Sequence, residues 1–387
     1  MKKVLVISSV PTPPISAGNQ KCILEYCQVL RMINVDVHFL FVQGRLKLEN
    51  IEADELQKFW GENLHIYKRK IYLEIIPRFF HILLSKMRGH DNLDARYPVG
   101  LTNFVHNIHK KEKFSSIIVN YVTLSKLFKN KFNCTKVIYS HDVFSYKKER
   151  LNVQHFWFDL TPNEESKGLK RADIILSIQD NESIFFKYLC PKVTVETVFS
   201  YFPIIEQNLT YNNNILFLSG KSQLNINGIM FFIKDVWPLI RNHIKNATLC
   251  IGGSICDVLK DDYVEDNILF VGRVENENSF YEMGDIVINP VFQGTGLKIK
   301  TFEALSHGKI TIVHPHSAEG IYKLEKAPVL IGEDSTSFAD KVCWALKDKK
   351  LRQELSQQSI GYISEMNNFV INQYKKIFNH EDSKNYC

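Results

Sequence analysis

The chain has 387 residues, which at ~150 residues per domain predicts two domains, each large enough to bury its own core. Hydrophobic residues make up 45% of the chain and charged residues 23%, a balance that excludes a disordered, collagenous or multi-span membrane protein. The formal net charge of +6 at pH 7 is too small an excess to favour nucleic acid as a partner, so we predict none.

The cysteines and the N-terminus bear on the cellular compartment. Eight cysteines occur without a CxxC pair and without the Cys and His spacing of a zinc site, so we predict reduced, mostly buried thiols. The apolar run at 4–10 is short and contains two serines; it is typical of a first β-strand rather than of a secretory signal. No segment reaches the ~20 apolar residues that a membrane-spanning helix needs. These patterns predict a cytoplasmic location.

Short β-branched runs recur between helical patterns, which predicts right-handed βαβ units on parallel sheets. The first set of predicted strands is 4–9, 35–42, 115–121, 136–140 and 173–178. The alternation of strands and helices then repeats, and the second set of predicted strands is 214–220, 247–253, 267–272, 285–290 and 309–315. The predicted fold class is α/β, with two Rossmann-like parallel-sheet domains that face each other across a cleft.

A hinge is predicted between the two sets of strands, from Pro203 and the polar, Asn-rich stretch after Gln207. We therefore assign a first Rossmann-like domain to 1–205, a second to 206–365 and a C-terminal helix to 366–387. Sheets of this kind bind ligands outside the carboxyl ends of their strands, so functional residues are expected in the loops that follow those strands.

The strongest local signal for a ligand site is the segment 289–308. A buried strand is followed by a Gly-x-Gly turn and then by a helix, whose free N–H groups and positive end favour phosphate. Lys298 and Lys300 fall in the first turn of that helix, where cations are disfavoured unless a polyanion compensates them. The alternative is an ordinary surface ion pair between Lys300 and Glu303, which share a helix face.

Three weaker candidates follow other predicted strands. Gly220 and Lys221 come directly after the first strand of the second domain, where an ordinary turn is the alternative. Gly18 lies in the loop after the first strand of the first domain. His141 follows the strand at 136–140 and is well placed to polarise or orient a sugar hydroxyl, although a packing or surface histidine is the alternative.

The segment 65–88 mixes basic residues with aromatic and aliphatic ones. Such a segment can lie on an anionic bilayer with its apolar face down. The alternative is a helix that packs on the core and has a solvated basic edge. We therefore predict either peripheral contact with an anionic membrane or ordinary packing.

Several motifs occur in an order that resembles a known family. In the second half they are NILFLSG, LNINGIMFFIKDVWPLI, ATLCIGG, NILFVGRV, GTGLKIKTFEALSHGK and SAEGI. They resemble the donor domain of glycosyltransferase family 4, the retaining group 1 glycosyltransferases with the GT-B fold, and in particular the bacterial members that build capsules, O-antigens and exopolysaccharides. In the first half, the PTPPISAG loop, VNYVTLS, HDVFS and RADIILSIQDNES also fit, so the resemblance covers most of 1–330.

The resemblance implies that a nucleoside-diphosphate sugar is held mainly by the second domain, with the first on the acceptor side. By position, Glu303 matches the acidic residue that holds the ribose hydroxyls, and 294–296 match the turn that meets the diphosphate or the sugar. The pair 220–221 matches the loop beside the phosphates. Gly18 matches the glycine loop that faces the donor diphosphate, and His141 matches the histidine beside the transferred sugar.

Two departures from the family pattern affect the assignment. Gln293 stands where the first of two glutamates precedes the Gly-x-Gly turn, and Glu303 lies ten residues later. The usual Arg and Lys after the first strand are missing, so we expect Lys298 or Lys300, with Lys221, to neutralise the diphosphate. The predicted catalytic residues are His141, Lys298 and Glu303, and the predicted donor-binding residues are Gly18, Gly220, Lys221, Arg273, Gln293, Gly294, Thr295, Gly296, Leu297 and Lys300.

The sequence has no Asp-x-Asp pair and no His and Cys cluster, so we expect no metal and no cofactor besides the sugar nucleotide. The resemblance implies a retaining transfer to a saccharide or lipid-linked saccharide in bacterial surface polysaccharide synthesis, peripheral to the inner face of the cell membrane, with a C-terminal helix that crosses back to the first domain. Two alternatives stay open: a sugar-nucleotide 2-epimerase of the same fold, and a catalytically degenerate protein that binds a sugar nucleotide or stabilises a partner enzyme.

Overall fold

Two parallel β-sheets, one in each half of the chain, form the framework of the computed structural model. The structure describes residues 1–15, 18–44, 50–153, 158–260 and 267–379. Unit 1 is Met1–Tyr201 with the chain from Phe369 onward, and unit 2 is Phe202–Asn368; the predicted divisions lie after 205 and after 365. The two parallel sheets confirm the predicted α/β class.

Unit 1 has a seven-stranded, all-parallel sheet among the residues that the structure describes. Its strands are β1 Lys2–Ser8, β2 Val35–Gln43, β3 Leu64–Lys68, β4 Ser116–Asn120, β5 Thr135–Ser140, β6 Ile174–Ser177 and β7 Thr194–Thr197. The spatial order is β3-β2-β1-β4-β5-β6-β7, and Ile7 of β1 lies opposite both Leu40 of β2 and Val119 of β4. Strand order reverses between β1 and β4, so the switch point of this sheet is at their carboxyl ends.

Helices connect the strands of unit 1. The α-helices are α1 Gly18–Met32, α2 Asn50–Trp60, α3 Ile71–Arg88, α4 Leu101–Glu112, α5 Lys147–Leu151, α6 Pro162–Leu169 and α7 Asp180–Leu189. Short 3-10 segments are Gly61–Asn63, Leu93–Arg96 and Val122–Lys129. Residues 4–7 of β1 are all buried, so both faces of this central strand are covered, which explains why it is apolar along its length.

Unit 2 repeats the design with a six-stranded parallel sheet in the part of the chain that is described. Its strands are β8 Asn214–Leu218, β9 Thr248–Gly252, β10 Ile268–Gly272, β11 Ile286–Asn289, β12 Ile310–Val313 and β13 Val329–Ile331. The order is β10-β9-β8-β11-β12-β13, so strand order reverses between β8 and β11. The carboxyl ends of those two strands are therefore the switch point of unit 2.

The helices of unit 2 follow its strands in alternation. They are α8 Gln223–Phe231, α9 Trp237–His243, α10 Cys256–Leu259, α11 Glu277–Tyr281, α12 Ile299–Ser306, α13 Pro315–Ala318, α14 Ser335–Lys347 and α15 Lys349–Asn379. A π-helical segment, Phe232–Val236, joins α8 to α9, and a 3-10 turn is found at Leu324–Lys326. The core of the unit gathers the apolar residues of β8, β9, β11 and β12 against α9 and α14.

A buried ion pair fixes the start of α15 to the base of the unit 2 sheet. Arg352 Nη1 lies 3.0 Å from Asp285 Oδ2, and both side chains are almost fully buried. Asp285, which directly precedes β11, also accepts backbone hydrogen bonds from Thr210 and Tyr211. A buried charge pair with its remaining oxygens satisfied holds its neighbours in one geometry, and the loss of one partner would leave a buried charge unpaired.

The last part of α15 packs within unit 1. The ring of Tyr374 stacks on Tyr26 of α1 with centroids 6.5 Å apart, and Lys376 Nζ lies 3.0 Å from Glu196 Oε1 of β7. Asn379 Nδ2 donates to the carbonyl of Ile33. The predicted C-terminal helix is thus the end of a longer helix.

All ten predicted strands are present, and the structure adds three. These are β3, β7 and β13, which lie at sheet edges. Their residues are mostly half-buried, since an edge strand has a neighbour on one side only. They lack the continuous apolar runs of the central strands and were therefore not found from sequence pattern.

The segment 65–88 forms β3 and then α3. In α3, several large apolar side chains are exposed, so the alternative of a helix packed through its apolar face is wrong. No helix in the described ranges is both long and apolar enough to cross a membrane. The described cysteines are free thiols, and all but the half-buried Cys134 are buried; Cys387 lies outside the described residues.

Candidate functional site

The loops at the switch point of unit 2 contain most of the predicted donor-binding residues. The loop after β8 covers 219–222, and the loop after β11 covers 290–298. The strands β8 and β11 are neighbours at the centre of the sheet. In a doubly wound sheet, the loops that leave two such strands go to opposite faces of the sheet, and a crevice forms between them. The sequence-predicted turn and the glycine loop are therefore brought together.

The turn between β11 and α12 needs its two glycines for conformational reasons. Gly294 has φ 137° and Gly296 has φ 79°, a region that residues with a side chain rarely adopt. Below the turn, Asn289 Nδ2 donates to Thr301 Oγ1 over 3.0 Å, and Ser317 Oγ donates to the carbonyl of Val291. The backbone of the turn is thus fixed from beneath and brought to the N-terminus of α12.

Gly228 of α8 allows a close approach to the same turn. A Cβ atom at this position would lie 2.9 Å from Cα of Val291 and 3.1 Å from its backbone N. These distances are shorter than real side chains tolerate, so only glycine lets α8 pack directly against the segment that leaves β11. The packing sets the separation of α8 and the turn.

Lys298 precedes the first residue of α12 and lies against a histidine. Its Nζ is 3.1 Å from His316 Nε2, and His316 Nδ1 is 3.1 Å from Glu319 Oε2. Burial and the charge of Lys298 lower the pKa of His316, although Glu319 opposes them. A hydrogen bond with the backbone of Gly294 also raises the pKa of His316, so the same imidazole contacts the glycine turn, Lys298 and Glu319.

Lys300 connects the two loops of the switch point. Its Nζ donates to Asn225 Oδ1 over 3.0 Å, and Asn225 Nδ2 donates to the carbonyl of Gly220 over 2.9 Å. Burial lowers the pKa of Lys300, the charge of Glu303 raises it, and the charge of Lys298 lowers it further. A desolvated ammonium held at the positive end of a helix is an environment that an anion stabilises.

Glu303 lies one turn further along α12 and is buried, with 8% of its surface exposed. Its carbonyl accepts from His307 Nδ1 over 2.8 Å and from Ser306 Oγ. Burial raises the pKa of Tyr281, and the negative charge of Glu303 raises it further. Because Glu303 is buried and the ammonium of Lys300 reaches Asn225, the solvated surface pair considered as an alternative does not describe this arrangement.

The remaining predicted residues of unit 2 are more exposed. Lys221 Nζ lies 4.0 Å from Asp257 Oδ2, and both side chains are more than half exposed, so this pair contributes little stability. Arg273 is exposed after the edge strand β10. Two strand spacings, about 10 Å, separate β10 from β8, so the donor-binding role of Arg273 stays a prediction. Gln293 is exposed, and Thr295 and Leu297 are half-buried.

The switch point of unit 1 is formed by neutral groups. Asn120 ends β4, and its Nδ2 donates to the carbonyl of Ile7 over 3.1 Å. His141 Nε2 lies 2.7 Å from Asn120 Oδ1, and the imidazole packs between the rings of Tyr121 and Tyr139. Burial lowers the pKa of His141 to about 3. The ring is therefore neutral, with Nε2 donating to Asn120 and Nδ1 as the unprotonated nitrogen.

Gly18 begins α1 beside this group, directly after two residues outside the described ranges. The next residue, Asn19, donates to the hydroxyl of Tyr121 over 3.2 Å. Thr12 Oγ1 donates to the carbonyl of Gln20. The start of α1 is thus tied to the tyrosine that packs on His141. Across the described ranges, no three His, Cys, Asp or Glu side chains gather as a possible metal site.

Three residues of these sites were not singled out from the sequence. Asn225 lies in the LNINGIMFF motif, but its contact with Lys300 joins residues 75 positions apart. His316 and Asn120 likewise act through partners that the fold brings together. The signal that could have found Asn225 is its place in a quoted motif, next to the predicted glycine loop.

Comparison with known proteins gives a family for part of the chain. Residues 212–348 match the family described as "Glycosyl transferases group 1". A curated relative, an uncharacterized 44.6 kDa protein in the cps region of Klebsiella pneumoniae, is 20% identical and covers 94% of this chain and 96% of its own length.

Solved structures show the same fold over the whole chain. Sucrose-phosphate synthase from Thermosynechococcus elongatus has a TM-score of 0.69 at 12% identity, with 98% of each chain covered. A TarM mutant from S. aureus, in complex with fondaparinux, alpha-GlcNAc-glycerol and UDP, has a TM-score of 0.70 at 10% identity, with 98% of this chain and 100% of TarM covered. The two parallel-sheet domains match those of GT-B glycosyltransferases.

Proposed function

We propose that this chain, whose residues 212–348 match the group 1 glycosyltransferases and whose two parallel-sheet domains match the GT-B fold, transfers a sugar from a nucleoside-diphosphate sugar to a saccharide or lipid-linked saccharide. In the proposal the anomeric configuration is retained, and no metal ion takes part. The acceptor belongs to bacterial surface polysaccharide synthesis, and the enzyme works in the cytoplasm at the inner face of the membrane. The cps-region relative supports this setting, and the UDP in the TarM complex supports the donor class.

The observation that carries the proposal is the arrangement of two lysines at the switch point of unit 2. Lys298 and Lys300 lie at the start of α12, next to a turn in which Gly294 and Gly296 have positive φ angles. Lys300 also reaches the loop after β8 through Asn225. Two ammonium groups, a helix N-terminus and a glycine turn together suit a diphosphate.

The chemistry follows from where charge develops. The anomeric C–O bond breaks through an oxocarbenium-like state, and negative charge builds on the leaving diphosphate. Groups that stabilise this charge in a preorganised site lower the barrier. In the proposal Lys298 and Lys300 do so, and Lys221 lies beside the phosphates. The acceptor hydroxyl attacks the same face of the sugar, and its proton passes to an oxygen of the leaving diphosphate.

Glu303 and His141 take the two remaining proposed roles. The carboxylate of Glu303 accepts hydrogen bonds from the ribose hydroxyls. Within unit 1, His141 is kept in one tautomer by Asn120, so its Nδ1 is an acceptor for a sugar hydroxyl. A neutral histidine with a pKa of about 3 orients a hydroxyl and does not serve as a general acid at neutral pH.

The experiment is a donor panel with the purified full chain. Release of nucleoside diphosphate is measured with UDP-, GDP- and ADP-sugars and saccharide acceptors, with and without EDTA, and the anomeric configuration of the product is read by NMR. Thermal shift with each nucleoside diphosphate identifies the base beforehand, since a ligand that binds the folded state raises its stability. We expect release that depends on acceptor, survives EDTA and gives a retained product.

The controls separate the proposal from its alternatives. Lys300→Ala is compared with Lys234→Ala, an exposed lysine on the π-helical segment. Conversion of the donor to its 2-epimer without acceptor would show an epimerase. Nucleotide binding without turnover of any donor would show a degenerate binding protein. An inverted product, or release abolished by EDTA, would contradict those parts of the proposal.

A further inference from the structure

Helix α3 presents an apolar surface to solvent. Eight large apolar side chains between Tyr72 and Met87 are exposed, and we call this set the α3 face. Tyr72, Phe79 and Met87 are exposed by 70%, 67% and 77%. At about 100° per residue, the eight positions fall within an arc of about 180°, from Ile75 at one margin to Leu84 at the other. A contiguous apolar surface of this kind marks an interaction site.

Glu74, on the side of α3 opposite to this face, points into the protein instead. Glu74 is buried, with 4% of its surface exposed, and its carboxylate takes two hydrogen bonds from Arg69 at 3.1 and 2.7 Å. Arg69 also donates to the carbonyl of Arg96. This orientation is the reverse of an ordinary surface helix, which buries its apolar stripe. A buried bidentate pair holds the helix so that the α3 face points outward.

The charge around the α3 face is basic. The segment 65–88 has six Lys and Arg residues and a single acidic one, and that acid is Glu74, which Arg69 neutralises. Lys68 and Lys70 are exposed just before α3, and Arg88 is exposed at its end. A second copy of the chain would bring these like charges together. A layer of anionic headgroups would neutralise them while the apolar side chains enter the lipid.

We propose that the α3 face docks this protein on an anionic lipid bilayer. The helix lies in the plane of the interface, with Tyr72, Phe79 and Met87 directed into the acyl boundary and Lys68 and Lys70 at the headgroups. Docking of this kind needs no spanning segment and does not involve the switch point of unit 2. The inference therefore goes beyond the proposed reaction and is tested without any donor or acceptor.

The test is binding of the full chain to vesicles of phosphatidylcholine alone and of phosphatidylcholine with phosphatidylglycerol, measured by co-sedimentation. We expect binding to the anionic vesicles. The variant Tyr72→Ser/Phe79→Ser/Met87→Ser is expected to bind about a hundredfold more weakly, since three large apolar side chains no longer enter the lipid. The variant Lys68→Gln/Lys70→Gln is expected to bind about tenfold more weakly and to lose most of the preference for anionic vesicles.

The matched control is Ile184→Ser/Tyr188→Ser, which removes two apolar side chains of α7 that are exposed by 66% and 83%. It is expected to bind within about twofold of the natural chain. Circular dichroism checks that each variant folds. If the serine variant does not fold, the lysine variant, which leaves the sequence of α3 unchanged, still tests the proposal. Absence of vesicle binding, equal loss in the control, or a dimer that the serine variant alone dissociates would overturn the proposal.

Discussion

The switch points of the two units have the same strand order but differ in the charge of the side chains that they contain. In unit 2 the crevice between β8 and β11 holds two lysines at a helix start, one of them bound to the neighbouring loop through Asn225. In unit 1 the corresponding place between β1 and β4 holds Asn120 and a histidine whose pKa is lowered to about 3. The backbone frame fixes where a ligand binds, and the side chains decide which charge it carries.

The largest effect is expected for the lysines of unit 2. We expect Lys300→Ala to lower kcat/KM by about a hundredfold to a thousandfold, because one donor to the developing diphosphate charge is lost. Release of nucleoside diphosphate measures the change, with Lys234→Ala as the control. If Lys300→Ala and the control had equal kcat/KM, the proposed role of the unit 2 lysines in stabilising the diphosphate would be wrong.

His141 tests the neutral switch point. We expect His141→Ala to lower kcat/KM by about tenfold to a hundredfold, because a positioned acceptor is lost while the diphosphate contacts remain. Since burial lowers the pKa of His141 to about 3, we expect the pH profile of kcat/KM for the natural chain to show no limb from this residue between pH 5 and 9. The control is His243→Ala, an exposed position. A limb near pH 6.5 that His141→Ala removes would contradict a neutral role.

The fall of kcat/KM at alkaline pH tests whether Lys300 must be charged. Burial lowers the pKa of Lys300, and only the ammonium form stabilises a diphosphate, so activity falls with rising pH earlier than for an ordinary lysine. Asn225→Asp places a carboxylate at the partner of Lys300 and is expected to move this limb to higher pH, with about a tenfold loss of kcat/KM at neutral pH. Asn227→Asp is the control, because Asn227 lies two residues away on α8. A limb that does not move would show that another group titrates.

The smallest effect is on stability. We expect Gly294→Ala to lower the free energy of unfolding by about 1–3 kcal/mol, because φ 137° is strained for alanine. Gly220→Ala is expected to cost less than about 0.5 kcal/mol, since a Cβ there would meet only Ser254 Oγ, at 3.8 Å. Urea unfolding followed by tryptophan fluorescence measures both. Equal costs would mean that the turn relaxes around the new side chain.

The sequence was informative where one property dominates a segment. Central strands are buried on both faces and form continuous apolar runs in the sequence, so β1, β4, β8 and β11 were predicted; of the four edge strands in the described sheets, only β10 was. Gly294 and Gly296 were predicted to form a ligand-binding turn because a Gly-x-Gly pattern between a buried strand and a helix is typical of a phosphate site. In α3, composition left two alternatives open, and the exposed apolar side chains together with the burial of Glu74 show which side faces out.

The parts of the site that could not be predicted depend on contacts between distant residues. Lys300 and Asn225 are 75 positions apart, and Asn120 meets His141 because β4 and β5 are neighbours. Neither residue type is unusual in its own segment. Arg273 follows an edge strand, two strands away from the switch point, and its motif alone does not reveal that position. Spacing along the chain predicts a helix face or a turn, but only the sheet order predicts which loops meet.

The contact between Gly228 and Val291 has a consequence for how the proposed donor site can diversify. With Cα of Val291 at 2.9 Å from a would-be Cβ, a single methyl group at 228 acts as a spacer that widens the opening between α8 and the turn. Under the proposed function, bulkier nucleotide or sugar groups would then gain room, while the hydrogen bond from Lys300 to Asn225 would lengthen and weaken. The residue at 228 would thus set both the size of the donor and the position of Lys300.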